Sequence, residues 1–290
     1  MFHQPLMADA LAGYGDARYV IFGVPFDRTS SYRAGSRFAP DAMRQASENF
    51  ESYNPYSNID LAELPIHDAG NLEVYSTVDD TLRDLYHDVR DIVRDGKIPV
   101  MMGGEHSLTL PCVKACAKDR DIGVVVLDAH LDLRDEFEGN KYSHACVSRH
   151  ILGEVTDKYV SIGVRSGSRE EWDFATENNI RYYTPEDVAD VGVKEIIKAA
   201  MEYLGTEQVY LSLDMDVLDP AFAPGLGTPE PFGLSSVQVR DLVRGFAPCA
   251  AGFDVVEISP VFDTGQTASL GCKLLREFIA AHAAGCTSSK

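Results

Sequence analysis

Three short segments of this chain concentrate the side chains that could do chemistry. They are Gly103-Gly104-Glu105-His106-Ser107, Asp128-Ala129-His130-Leu131-Asp132 and Asp214-Met215-Asp216. In an extended chain alternate side chains point the same way, so Asp128, His130 and Asp132 can share one target, and Asp214 and Asp216 another. The glycine pair lets the backbone turn closely just before His106. Each segment has an ordinary reading when taken singly: an acidic pair after a strand is a helix cap or a solvated turn, and a lone histidine is a hydrogen-bonded structural residue. Four carboxylates and two imidazoles gathered in one crevice are different, because unpaired they would repel one another or take up protons. Divalent cations relieve that repulsion, and six ligands with bridging oxygens suit two ions better than one. Oxygen-rich ligation with some imidazole favours Mn²⁺, with Fe²⁺, Co²⁺, Ni²⁺ or Zn²⁺ as alternatives.

For these segments to meet, the fold must bring them to one edge. Near-continuous apolar runs predict strands at Tyr19–Val24, Ile98–Met102, Ile122–Leu127, Tyr159–Val164, Ile180–Tyr183, Val209–Leu213 and Gly252–Ile258, buried on both faces. Helical patterns lie between them near Pro40–Tyr53, Val78–Asp95, Leu108–Asp119, Pro185–Tyr203, Val237–Phe246 and Thr267–Ala284. Pro40 and Pro185 suit a first helical turn, and Thr184 suits a cap. The alternation predicts an α/β fold with a mostly parallel sheet and helices on both faces. Ligands of such sheets bind beyond the carboxyl ends of the strands. Four predicted strands run directly into the polar clusters there, the fourth into Glu257-Ile258-Ser259-Pro260. Glu257 has no basic neighbour in sequence, so it needs a cationic partner or water.

Bulk properties narrow the function classes. The chain has 290 residues, 45% hydrophobic and 24% charged, enough for a large core in one domain spanning 1–290. A net charge of −19 repels phosphate backbones, so no nucleic-acid partner is expected, and it favours small cationic ligands near clefts. Solubility or a salty cytoplasm is the readier account of the acidity. No apolar run approaches the roughly 20 residues of a membrane helix. The segment Met1–Asp16 lacks the basic and apolar regions of a signal peptide. A cytoplasmic protein without a membrane partner is expected. The six cysteines, Cys112, Cys116, Cys146, Cys249, Cys272 and Cys286, form no CxxC pair and read as reduced, mostly buried thiols.

In order, spacing and residue type the three segments resemble the signature motifs of the ureohydrolase (arginase/agmatinase) family, the third running Ser212-Leu213-Asp214-Met215-Asp216-Val217-Leu218-Asp219-Pro220. The resemblance covers almost the whole chain. Gly23-Val24-Pro25-Phe26-Asp27 is similar to the family's opening, and Gly227-Thr228-Pro229-Glu230-Pro231 and Asp254-Val255-Val256-Glu257 to its late motifs in agmatinase form. It implies a three-layer α/β/α fold with a parallel sheet of eight strands, and homo-trimers or homo-hexamers. It implies two Mn²⁺ per chain, one held by His106 and Asp132, the other by His130 and Asp216, with Asp128 and Asp214 bridging. The activity implied is hydrolysis of a guanidino compound, agmatine first, to urea and an amine. Metal-held water is acidic enough to supply a nucleophile near neutral pH. Asp132 would pass a proton to the leaving amine, Glu257 would pair with the guanidinium, and His144 resembles the family's proton-shuttle histidine. Arginase, guanidinobutyrase, guanidine hydrolase and formiminoglutamase activities remain open, as does a non-catalytic binding subunit. Ala145-Cys146 after His144, and Phe232, depart from the agmatinase pattern and put the pocket wall in question. Asp135, Glu136 and Glu138 would favour a cationic substrate tail, or are plain surface charge.

Overall fold

The computed structural model describes residues 6–75 and 77–288, and side chains through 285. Ten strands form: β1 (Tyr19–Gly23), β2 (Tyr53–Asn54), β3 (Ile59–Asp60), β4 (Ile66–Asn71), β5 (Ile98–Met102), β6 (Gly123–Leu127), β7 (Tyr159–Ile162), β8 (Arg181–Tyr183), β9 (Val209–Asp214) and β10 (Ala250–Val256). Nine α-helices accompany them among the described residues: α1 (Ala39–Ser47), α2 (Val78–Arg94), α3 (Thr109–Ala117), α4 (Val147–Glu154), α5 (Arg169–Glu177), α6 (Pro185–Val191), α7 (Val193–Leu204), α8 (Ser236–Phe246) and α9 (Gln266–Ser288). Eight strands build one parallel sheet in the order β4-β1-β5-β10-β9-β6-β7-β8, while β2 and β3 pair as a small antiparallel hairpin.

Alternation along the strands divides the core in two. Tyr19, Val100, Val125, Leu211 and Phe253 pack with α1, α7, α8 and α9. Val20, Met101, Val124, Tyr210 and Ala251 pack with α2, α3 and α4 on the other face. The result is the expected α/β/α layering, with the sheet's central strands apolar on both sides because helices cover both. Thr184 caps α6 through Asp187, with Pro185 in the first turn, as the sequence predicts.

Several elements depart from the sequence reading. β4 is missing from it because Ile66–Asn71 is an edge strand with buried positions alternating with open ones, and so carries no apolar run. α4 and α5 are also additional; each is short, and its apolar stripe is only two or three residues long. The single helix expected over Pro185–Tyr203 is two, because Gly192 with φ 90° breaks the ladder between α6 and α7. The first predicted helix stops at Ser47, after which Tyr53 enters the hairpin. No described helix is long and apolar enough to cross a membrane. The five cysteines with described side chains are free thiols; the side chain of Cys286 lies outside the described residues.

Candidate metal centre and active site

The four site-bearing strands, β5, β10, β9 and β6, are consecutive neighbours at the centre of the sheet. Their carboxyl ends therefore open onto one place. His106 follows β5, Glu257 follows β10, Asp214 closes β9 with Asp216 just beyond, and Asp128, His130 and Asp132 follow β6.

The convergence does not come from extended alternation, as the spacing had implied. Asp214 and Asp216 sit on a 3-10 turn, where the Asp214 carboxylate accepts the Asp216 N–H at 2.8 Å. Asp132 has φ 51° and Glu257 φ 64°, both in the left-handed region that side chains rarely occupy. Strain of this kind persists only where the surroundings over-determine it, and it clusters at working sites. The loop before His106 is equally constrained. A Cβ on Gly104 would stand 1.7 Å from the Phe26 carbonyl oxygen, the same oxygen that accepts the Glu105 N–H at 2.9 Å.

Among the described residues two trios of ligand atoms come within 4.8 Å of one another: His106–Asp128–Asp132 and Asp128–His130–Asp216. Asp128 belongs to both. His106 Nδ1 lies 3.1 Å from Asp128 Oδ2, 3.1 Å from Asp132 Oδ2 and 3.3 Å from Asp214 Oδ2. His130 Nδ1 lies 2.9 Å from Asp216 Oδ2 and 3.6 Å from Asp128 Oδ1. All six predicted ligands thus meet in one cluster. Asp128 Oδ2 is buried and has no hydrogen-bond partner, an unfilled acceptor of the kind a cation satisfies. The donor set, carboxylate oxygens with two imidazoles, fits hard-to-borderline divalent ions.

Charge confirms the demand. Burial opposes protonation of His106, but the Asp128 and Asp132 carboxylates outweigh it and hold the imidazole well above its usual range. His130 is raised in the same way, burial being outweighed by Asp216 and Asp128. Burial, with the Asp128 charge beside it, lifts Asp132 to about 6, and burial with Asp216 and Asp128 holds Asp214 well above the usual carboxylate range. The cluster calls for positive charge and takes up protons when no other cation is there.

The flanking groups hold these side chains in place. His106 Nε2 lies 3.1 Å from Ser212 Oγ, which donates to the buried Asp254 at 2.6 Å, leaving Nδ1 aimed at the carboxylates. Glu257 Oε1 accepts the His106 N–H at 2.8 Å and lies 3.4 Å from His144 Nδ1. His144 has its pKa raised to about 9: burial opposes the charge and Glu257 outweighs it. Its Nε2 reaches Ser31 Oγ at 3.2 Å, and its N–H donates to Thr29 Oγ1 at 2.9 Å. Thr29 is in turn held by Glu105 through two hydrogen bonds, at 2.7 and 2.6 Å. Sequence reasoning missed Thr29, Ser31 and Glu105 as supports. Glu105 stands inside a quoted motif, whereas Thr29 and Ser31 lie in a loop with no local signal.

A cavity of about 350 Å³ opens over the cluster, lined in part by Ser31, His130, Asp132, His144, Asp214 and Asp216. Ala145 is on its wall and Cys146 and Phe232 are not; Phe232 is 83% exposed. Asp135, Glu136 and Glu138 do not line it either. Arg134 does, 3.4 Å from Glu171. Asp135 and Glu136 instead line an adjoining cavity of about 590 Å³ that shares Arg134, Ser168 and Glu171 with the first.

The chain matches the family model described as "Arginase family" over residues 17–281. It is 38% identical over 264 residues to an agmatinase of Pyrococcus horikoshii, covering 90% of each chain. It is 39% identical over 265 residues to an N(1)-aminopropylagmatine ureohydrolase of Thermococcus kodakarensis, covering 89% of this chain and 88% of that one. The solved structure of the agmatine ureohydrolase of Thermoplasma volcanium superposes with a TM-score of 0.95 at 42% identity, over 100% of this chain and 98% of the other. The chain is a ureohydrolase and belongs to the arginase family.

Proposed function

We propose that this protein hydrolyses agmatine to urea and putrescine with two Mn²⁺ per chain, one held by His106 and Asp132, the other by His130 and Asp216, and both by Asp128 and Asp214. The observation that carries the reading is Asp128, shared between two trios of ligand atoms and bearing a buried oxygen with no hydrogen bond. Bound divalent ions supply Lewis acidity and bring the pKa of held water to about 7 in favourable sites. The chain's own residues do the rest. Asp132 would accept a proton from the attacking water and pass it to the leaving amine. Glu257 accepts the guanidinium as a charge-assisted partner; its Oε1 already holds His106, so the free edge is Oε2. His144 moves protons between the site and the mouth, where its Nε2 meets Ser31. One domain spanning 1–290 carries this activity, and we read it as a cytoplasmic homo-trimer or homo-hexamer.

A second substrate is favoured by one observation. The adjoining cavity is lined by Asp135, Glu136, Glu170, Glu171, Asp173 and Glu177 against two cations, Arg134 and Arg149, an excess of carboxylates that suits the additional cation of N(1)-aminopropylagmatine. Urea release from a panel of guanidino compounds, with Mn²⁺ added, tests both. Agmatine or its aminopropyl derivative should exceed arginine in kcat/KM by about a hundredfold or more, since the guanidinium on the cavity wall, Arg134, already faces Glu171 at 3.4 Å and leaves the α-carboxylate without a cation of its own. Equal turnover of arginine would defeat the tail argument. No urea from any guanidino compound under any metal would return the chain to a non-catalytic role.

A further inference from the structure

Arg165 has no part in the chemistry described above, yet its side chain makes more hydrogen bonds than any ligand of the site needs. Nε donates to the Pro231 carbonyl at 3.1 Å. Nη1 donates to the carbonyls of Gly163 at 3.0 Å and Val217 at 3.3 Å. Nη2 donates to those of Asp216 at 2.8 Å, Leu218 at 3.2 Å and Glu230 at 2.7 Å. A guanidinium has five N–H groups, so with these acceptors all are in use and one is shared. Every acceptor is a backbone carbonyl; none is a carboxylate. The side chain therefore ties three stretches of chain together: the end of β7, the turn that carries Asp216, and the Glu230-Pro231 loop.

Two of these stretches bear on the same half of the centre. The turn aims Asp216, whose Oδ2 is 2.9 Å from His130 Nδ1. The loop sets Glu230, whose Oε1 lies 3.8 Å from His130 Nε2 and accepts from Ser166 Oγ at 2.9 Å. Arg165 also reaches the remaining ligand loop through its main chain, donating its own N–H to the Ala129 carbonyl at 2.8 Å, between Asp128 and His130. None of these hydrogen bonds of the Arg165 side chain reaches His106 or Asp132.

We propose that Arg165 is the positioning residue of the His130–Asp216 half of the centre, so that one of the two ion sites depends on it and the other does not. This rests on the binuclear reading above. The planar fork is required because the carbonyls are reached from three separate nitrogens, Pro231 from Nε, Gly163 and Val217 from Nη1, and Asp216 from Nη2; an ammonium, with its donors on one nitrogen, cannot span them.

The test is Mn²⁺ binding by the full chain, followed by titration and by electron paramagnetic resonance, with circular dichroism as the check on folding. Wild type should bind two ions as a coupled pair; fewer than two would fail the binuclear reading itself, before any variant is made. Arg165→Lys should keep one ion near wild-type affinity and bind the second at least about tenfold more weakly, as loss of outer support does elsewhere. The coupled signal should give way to that of isolated Mn²⁺, and urea release should recover as Mn²⁺ is raised. Gly233→Ala presses on the fork together with the backbone it binds, because a Cβ there would stand 2.6 Å from Arg165 Nη2, 2.5 Å from Asp219 N and 2.6 Å from the Leu218 carbonyl carbon, and it should reproduce the pattern. Two tight ions in either folded variant, or equal weakening of both, would overturn the proposal. So would failure of both variants to fold, since Arg165 would then support the chain as a whole.

Discussion

At the scale of single residues, the proposed roles separate because the site's side chains are held by different contacts. His144 hydrogen-bonds to Ser31 and Thr29 and stands beside Glu257, but belongs to neither ligand trio. His144→Ala should lower kcat by about a hundredfold, the low end for losing an acid–base group, with Mn²⁺ content near wild type. An unchanged kcat would make it a structural histidine. Glu257 does two things at once, since the oxygen that accepts the His106 N–H belongs to the carboxylate proposed to meet the substrate. Glu257→Gln keeps a carbonyl oxygen for that N–H and loses the charge. It should therefore reduce kcat/KM by at least about tenfold, roughly 1.4 kcal/mol of transition-state stabilisation, without loss of metal. Metal loss in parallel with rate would show that Glu257 acts chiefly by holding the His106 loop.

At the scale of elements, the centre depends on where four strands stop. Buried strands such as Val209–Asp214 and Gly123–Leu127 are legible because both faces are apolar, and so are the polar clusters at their ends. How those clusters turn is not legible. Spacing alone predicts an extended Asp-x-His-x-Asp, whereas the chain bends at Asp132, and Glu257 leaves its strand the same way. The loop after β5 shows what such turns need. Gly104→Ala forces the Phe26 carbonyl away and with it the hydrogen bond that seats Glu105, the residue before His106. We expect destabilisation of about 1–3 kcal/mol from overpacking, together with weaker Mn²⁺ binding. Thermal unfolding in chelator and in Mn²⁺ measures each; an unshifted midpoint in both would show that the loop yields without cost.

At the scale of the whole molecule, the first strand and the last helix are joined across the sequence by a buried pair. Tyr19 on β1 lies 2.9 Å through its hydroxyl from His282 Nδ1 on α9, beside the stacked rings of Phe253 and Phe278. Burial, with Arg18 nearby, lowers His282 from 6.5 to about 4. The imidazole is thus neutral in the fold and takes a proton more readily when unfolded. Its contribution to stability is complete above pH 6.5 and is lost as the pH falls toward about 4, a change of roughly 3 kcal/mol. His282→Phe removes the titration, so in metal-free protein the variant should lose less stability than wild type between those pH values. Equal slopes in urea unfolding at a series of pH values would remove His282 from the acid response.

The sequence by itself determined the layered α/β class, the central strands and all six proposed ligands, because apolar runs and clustered carboxylates are local signals. It also carried the family, through motifs whose residue types must stay together in the chain. Tertiary structure alone decided the rest. The edge strand β4 is polar enough to pass for a loop until β1 pairs with it. Gly192 ends a helix that periodicity would continue. The neighbouring order of β5, β10, β9 and β6 brings residues as far apart as His106 and Glu257 into one hydrogen bond. Arg165 is one charged residue among many in the sequence, and only packing surrounds it with six carbonyls. Its partners are backbone atoms, which every residue possesses, so no pattern of side chains along the chain could have announced them.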